Sequence, residues 1–137
     1  MAQKSPLTAL NAAVSFYGVP MPVSPDLAAL PKVTPVQAHF GALDTLEGLS
    51  DPASAEALAL AWETSISMDG GAHAHGLHKD EALVVSYPGK GHAFMSDDKT
   101  MIAKATELGM AGAGDSELQG KVWGNVFAFL RRHLKEI

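Results

Sequence analysis

The chain has 137 residues, of which 47% are hydrophobic and 18% charged, and its net charge is −5 with histidine neutral. This balance favours one soluble globular domain, and the negative charge argues against nucleic acid or an anionic membrane surface as the main partner. The absence of cysteine excludes disulfides, thiolate metal sites and a cysteine nucleophile within the chain. No apolar run approaches the roughly 18–20 residues that span a bilayer, and no secretory signal pattern is visible, so a cytoplasmic location is expected.

Three runs of residues have the pattern of buried strands. Residues 12–17 are nearly all apolar and end at Gly18, and the runs 33–41 and 82–87 have the same character. Strands that are apolar on both faces are typical of parallel sheets covered by helices. The four prolines between positions 19 and 31 predict a loop there, with room for one short turn.

Helical patterns follow the second and third strands. Asp51 precedes a proline, as is typical of a helix N-terminus, and predicts a helix that runs to about residue 62. Asp97 or Asp98 is suited to cap a second helix over residues 99–108.

The last helix carries its own start signal. Ser116 and Gln119 match the spacing of a capping box, and apolar residues recur after them at helical spacing. The alternation of strands and helices predicts an α/β fold with about three parallel strands flanked by helices.

Two side chains follow predicted strands at the edge where parallel sheets bind ligands. Asp44 comes shortly after the second strand and His92 shortly after the third. Such an aspartate could fix the tautomer of the imidazole and stabilise its charged form. Taken alone, the same residues are also compatible with a turn aspartate and a solvated loop histidine.

Four pieces of the sequence together resemble a known family. They are Val14-Ser15-Phe16-Tyr17-Gly18, the run from Ala38 to Asp44, the run Tyr87-Pro88-Gly89-Lys90-Gly91-His92-Ala93-Phe94, and the terminal segment from Trp123 to Leu130. In this order they resemble the C-terminal half of the dienelactone hydrolase family, a branch of the α/β-hydrolase fold, over residues 12–134. The resemblance implies that Asp44 is the acid and His92 the base of a nucleophile–His–Asp triad.

The sequence departs from that family in two respects. It contains no Gly-x-Cys-x-Gly or Gly-x-Ser-x-Gly elbow, so the nucleophile and the oxyanion hole are missing from the resemblance. The family's substrate-binding arginine after the histidine is also missing, because Met95 to Asp98 occupy that region. Among the other serines, Ser116 fits a helix cap better than a nucleophile, and Ser15 and Ser86 lack an elbow context.

The remaining histidines have structural alternatives. His73, His75 and His78 form a His-x-His-x-x-His pattern that could bind zinc or copper, although a solvated loop is the favoured interpretation. His39 is expected to be a hydrogen-bonded core residue, and His133 is expected to serve the C-terminus of the last helix.

The expected function is therefore hydrolysis of carboxylic esters or lactones, with Asp44 and His92 supplied by this chain and the nucleophile supplied from elsewhere. Alone, the chain is expected to be inactive, and no metal or organic cofactor is required. The expected partners are a small ester or lactone together with a second copy or a separately encoded N-terminal half. The alternatives are a non-catalytic interaction or dimerisation module and a truncated fragment of a full-length hydrolase.

Overall fold

Four parallel strands form one sheet in the order β1-β2-β4-β3 in the computed structural model, which describes residues 10–68 and 82–134. The strands are β1 Ala13–Phe16, β2 Val36–Gly41, β3 Ile66–Ser67 and β4 Ala82–Tyr87. The helices are α1 Pro25–Ala29, α2 Pro52–Ala61, α3 Lys99–Ala103 and α4 Ser116–His133, and a 3₁₀ turn, Leu30–Lys32, follows α1.

One face of the sheet is covered by α2. The buried side of that helix presents Ala55, Leu58 and Ala59, which pack with Phe40 and Val84 of the central strands. The helix begins where the sequence predicts, because the Asp51 carboxylate accepts a hydrogen bond from the backbone N–H of Ser54 at 3.3 Å. This packing fixes the direction in which the chain leaves β2.

The opposite face is covered by α4. Val122 and Val126 of this helix pack on Val85 and Tyr87 of β4 together with Phe94, which is also buried. With helices on both faces, all residues of β2 and all residues of β4 except Ala82 are buried, which explains their largely apolar character. The α/β fold with parallel strands flanked by helices is confirmed.

The structure differs from the sequence-based expectation in the details of some elements. A fourth strand, β3, adds two residues beside β4, and α3 ends at Ala103 rather than near residue 108. The N-cap of α4 is Asp115 rather than Ser116, and its carboxylate accepts from the N–H of Leu118 at 3.1 Å. The capping box is therefore wrong, because the Gln119 amide donates to the carbonyls of Phe94 and Ser96 instead.

Among the described residues, no helix combines the length and the apolar character needed to cross a membrane.

Candidate active site

The candidate site lies at the edge of the sheet where the parallel strands end. Tyr17 directly follows β1, Asp44 follows β2, and His92 follows β4. Because β1, β2 and β4 are neighbours in the sheet, their C-terminal ends bring these three side chains together.

Asp44 and His92 are in direct contact. The Nδ1–H of His92 donates to Oδ2 of Asp44 at 2.8 Å, while Oδ1 of Asp44 accepts from the backbone N–H of Leu46 at 2.9 Å. The Asp44 side chain is fully buried, whereas that of His92 is 35% exposed. The carboxylate is thus held behind a ring whose other side reaches solvent, as a proton-transferring histidine requires.

The loops that carry the two residues are joined by backbone hydrogen bonds. Ala42 donates to the carbonyl of Tyr87 at 3.0 Å, and Leu43 donates to that of Lys90 at 2.8 Å. Gly41 permits this approach, since a Cβ there would lie 2.4 Å from the carbonyl oxygen of Gly91. The distance between the Asp44 carboxylate and the His92 ring is therefore set by the backbone as well as by the side chains.

A second segment holds the histidine loop from its other side. The N–H of Gly91 donates to the carbonyl of Ala111 at 2.7 Å, and that of His92 donates to the carbonyl of Gly109 at 3.1 Å. The ammonium of Lys90 bonds to the Asp115 carboxylate at 2.9 Å, which ties the loop to the start of α4. The hydrogen bond from Lys90 is the largest of the interactions that lower the pKa of Asp115.

Tyr17 forms one wall of the site. Its ring centroid lies 5.4 Å from that of His92, and its hydroxyl accepts a hydrogen bond from the N–H of Met95 at 3.0 Å. Burial raises the pKa of this phenol above its usual value. The ring is therefore locked against the imidazole as a neutral group.

Two residues next to His92 have a strained backbone: Ala93, which follows it in the chain, and Tyr17, whose ring lies against the imidazole. Tyr17 has a φ of 64° and Ala93 a φ of 54°, values that side chains with a Cβ seldom adopt. Strain of this kind persists where the surrounding structure enforces it, and it is concentrated at functional sites. Neither conformation is predictable from the sequence, because Tyr and Ala carry no turn signal.

Ser50 is a site residue that sequence analysis missed. Its hydroxyl lies 3.2 Å from Nδ1 of His92, the same nitrogen that contacts Asp44, and its side chain is completely buried. The two residues are 42 positions apart, and Ser50 precedes a helix in a region without a catalytic motif, so no local signal marks it.

No described hydroxyl contacts Nε2 of His92, the nitrogen that would activate a nucleophile. The hydroxyl of Ser15 donates to the carbonyl of Gly18 at 2.9 Å, and Ser116 lies in the first turn of α4. The part of the chain that the structure describes thus pairs Asp44 with His92 but brings no hydroxyl to Nε2 of the ring.

The other histidines do not join this site. His39 is buried and contacts the Tyr87 hydroxyl at 2.8 Å and the Gln37 amide oxygen at 3.3 Å, which confirms the expected hydrogen-bonded core residue. The pattern of His73, His75 and His78 lies outside the described residues. Within the described ranges, no group of three or more histidine or carboxylate residues is arranged to hold a metal ion.

Comparison with known proteins identifies the wider relationship. The sequence model of the dienelactone hydrolase family matches residues 1–134. Among curated proteins, none matches the chain.

Proposed function

We propose that this chain, which belongs to the dienelactone hydrolase family, supplies the acid and the base of a triad that hydrolyses carboxylic esters or lactones. One observation carries the proposal: the buried Asp44 carboxylate accepts the Nδ1–H of His92 at 2.8 Å, at the sheet edge where the strands end. Family membership supports hydrolase chemistry in general. The proposal adds the specific roles of Asp44 and His92.

The mechanism follows from the tautomer that Asp44 favours. With the proton on Nδ1, the lone pair of Nε2 is available to remove a proton from a nucleophilic thiol or hydroxyl. The nucleophile attacks the carbonyl carbon, and the imidazolium then gives its proton to the leaving alkoxide oxygen. Water hydrolyses the acyl intermediate by the same proton transfers in reverse roles. Asp44 stabilises the imidazolium in both steps, so no metal or organic cofactor is required.

The nucleophile in this proposal is supplied from outside these 137 residues. The sequence has no cysteine, and no described serine contacts Nε2 of His92. A separately encoded N-terminal half, or a second copy that lends a residue, would have to place a nucleophile and its oxyanion hole beside His92. The chain alone is therefore proposed to be inactive.

Hydrolysis of p-nitrophenyl acetate tests whether the nucleophile is supplied separately from Asp44 and His92. We expect the purified chain to hydrolyse the ester at the background rate, and to become active when mixed with an N-terminal half that carries a Gly-x-Cys-x-Gly elbow. In the mixture, Asp44→Asn and His92→Ala should each lower the rate by about 10²–10⁴-fold, the contribution of general acid–base catalysis. Turnover by the chain alone that is lost in both variants would contradict the proposal, because the nucleophile would then lie within it.

A second candidate function, an interaction module, is favoured by an exposed surface beside β1. Phe16, Trp123 and Phe127 form an aromatic cluster in which Trp123 stacks on Phe127 with ring centroids 5.6 Å apart. Phe127 is 56% exposed, and among the described residues β1 has a strand partner on one side only. Open strand edges and exposed aromatic groups are typical of association surfaces.

A further inference from the structure

Ser50 has an environment that its sequence position does not explain. Its side chain is completely buried, and its only side-chain hydrogen bond to the described residues is the 3.2 Å contact with Nδ1 of His92. Burial of a hydroxyl is costly unless the group is hydrogen-bonded. The hydroxyl is therefore matched to the histidine rather than to any neighbour in its own loop.

The geometry excludes a nucleophilic role for this hydroxyl. A triad nucleophile gives its proton to Nε2, while the acid occupies Nδ1. Ser50 is on the Nδ1 side, together with Asp44 Oδ2 at 2.8 Å. Both oxygens thus share one ring nitrogen, and the N–H donates to the closer carboxylate with the hydroxyl as a second, weaker acceptor.

The backbone is shaped to bring Ser50 to this position. The N–H of Val19 donates to the carbonyl of Leu49 at 3.1 Å, which attaches the loop to the end of β1. Gly18 makes the approach possible, since a Cβ at that position would lie 2.1 Å from the Leu49 oxygen and 2.7 Å from the Cβ of Ser50. The loop that carries Ser50 is thus attached to the end of β1, whereas Asp44 lies in the loop that follows β2.

We propose that Ser50 is a positioning residue that, with Asp44, fixes the rotation and the Nδ1–H tautomer of the His92 ring. Two acceptors at one nitrogen define the ring plane more tightly than one, and they direct Nε2 away from the buried side. This inference rests on the proposed proton-transfer role of His92, although the effect on the ring itself is independent of any reaction.

Nitrogen-15 NMR of the ring in the full chain tests the proposal, with the His92 signals assigned by their loss in His92→Ala. In Ser50→Ala, the exchange of the Nδ1 proton with solvent should accelerate by about two- to tenfold, the range that corresponds to one lost hydrogen bond. The ring nitrogen shifts should also move toward a mixture of tautomers. Ser50→Cys, whose sulfur is a weaker partner, should give an intermediate result and provides the test if the alanine variant does not fold.

Ser54→Ala is the matched control, because Ser54 is also buried but bonds to Asp51 instead of His92. Unchanged exchange and tautomer in Ser50→Ala, or an equal change in Ser54→Ala, would overturn the positioning role. If the NMR effects occur while the mixture with an N-terminal half stays inactive, Ser50 positions the ring and the proposed hydrolysis is wrong. The two proposals therefore fail separately.

Discussion

At the scale of single residues, His39 and His92 show how one fold gives two imidazoles opposite properties. His39 stacks between the rings of Phe16 and Tyr87 at centroid distances of 5.0 and 5.9 Å, and burial lowers its pKa to about 4. With a proton on Nε2 it donates to the Gln37 amide oxygen and accepts from the Tyr87 hydroxyl. His39 is thus a neutral structural group, whereas His92 is partly exposed beside a carboxylate.

The low pKa of His39 makes the folded state sensitive to acid. The unfolded chain binds a proton at a pKa near 6.5, whereas the folded chain does so only near 4. The stabilisation by neutral His39 is present above pH 6.5 and is lost as the pH falls to 4, which amounts to about 3 kcal/mol. Urea unfolding at several pH values should show this loss, and His39→Gln, which cannot be protonated, should show a smaller loss over the same interval. If the free energy of unfolding fell equally with pH in the wild-type chain and in His39→Gln, His39 would not be the source of the acid sensitivity.

Ala93 is the residue whose backbone strain can be measured most directly. Its φ of 54° places the Cβ in a conformation that costs about 1–2 kcal/mol for an L-residue, and glycine avoids that cost. We expect Ala93→Gly to leave the free energy of unfolding unchanged or to raise it by up to about 1 kcal/mol. The control is Ala57→Gly on the exposed side of α2, which should destabilise by about 1 kcal/mol. Equal losses in both variants would show that the strain at Ala93 is not released.

At the scale of elements, the turn after β1 controls how the Ser50 loop approaches the sheet. A side chain at Gly18 would meet the Leu49 backbone at 2.1 Å, and its φ of 104° is itself unfavourable for L-residues. We expect Gly18→Ala to lower the free energy of unfolding by about 2–4 kcal/mol, the range of a severe backbone substitution. Gly48→Ala is the control, because Gly48 has a φ of 71° but nothing within 4 Å of the added Cβ. It should cost only about 1–2 kcal/mol, the strain alone. Denaturant unfolding of both variants measures the difference, and an equal cost would rule out the steric clash.

The main elements could be predicted from the sequence, because their signals are local. β4 is found over the predicted residues 82–87, and Asp51 caps α2 as expected. β3 could not be predicted, since its two residues have no periodic pattern and form a strand only by pairing with β4. The sequence pattern predicts Ser116 as the cap of α4, but the cap is Asp115, one residue earlier. The Asp115 carboxylate also binds Lys90, a long-range contact that no local pattern indicates.

The site was only partly visible in the sequence for a related reason. Asp44 and His92 stand at strand ends and in a family-like motif, so sequence analysis could propose them. Ser50 and Tyr17 reach the imidazole through the sheet order and through unusual turns, which no local pattern encodes. Similarly, the local pattern does not indicate that α3 ends at Ala103. The turns that follow lead to the buried Met110 and to the carbonyls of Gly109 and Ala111, which accept from the histidine loop.

At the scale of the whole molecule, the aromatic cluster of Phe16, Trp123 and Phe127 provides a test of association. If the surface beside β1 binds a second copy, sedimentation velocity should show dimers that dissociate on dilution. Phe127→Glu should weaken the dimer by at least about tenfold, since it places a charge in an apolar contact. Glu117→Gln, an exposed change in the first turn of the same helix, should leave the dimer unchanged. A wild-type chain that stays monomeric at high concentration would contradict dimerisation through this surface.

The backbone bonds from Gly91 and His92 to the segment 109–111 also set an order of events during synthesis. Asp44 leaves the ribosome first, His92 follows, and the carbonyls that hold the histidine loop emerge last. At about 5–20 residues per second, the interval between Asp44 and Ala111 is on the order of several seconds. During that time the bonds between the ends of β2 and β4 can form, but the histidine loop lacks the carbonyls that hold it from its other side. The full set of bonds that holds His92 beside Asp44 therefore forms only after Ala111 has been synthesised.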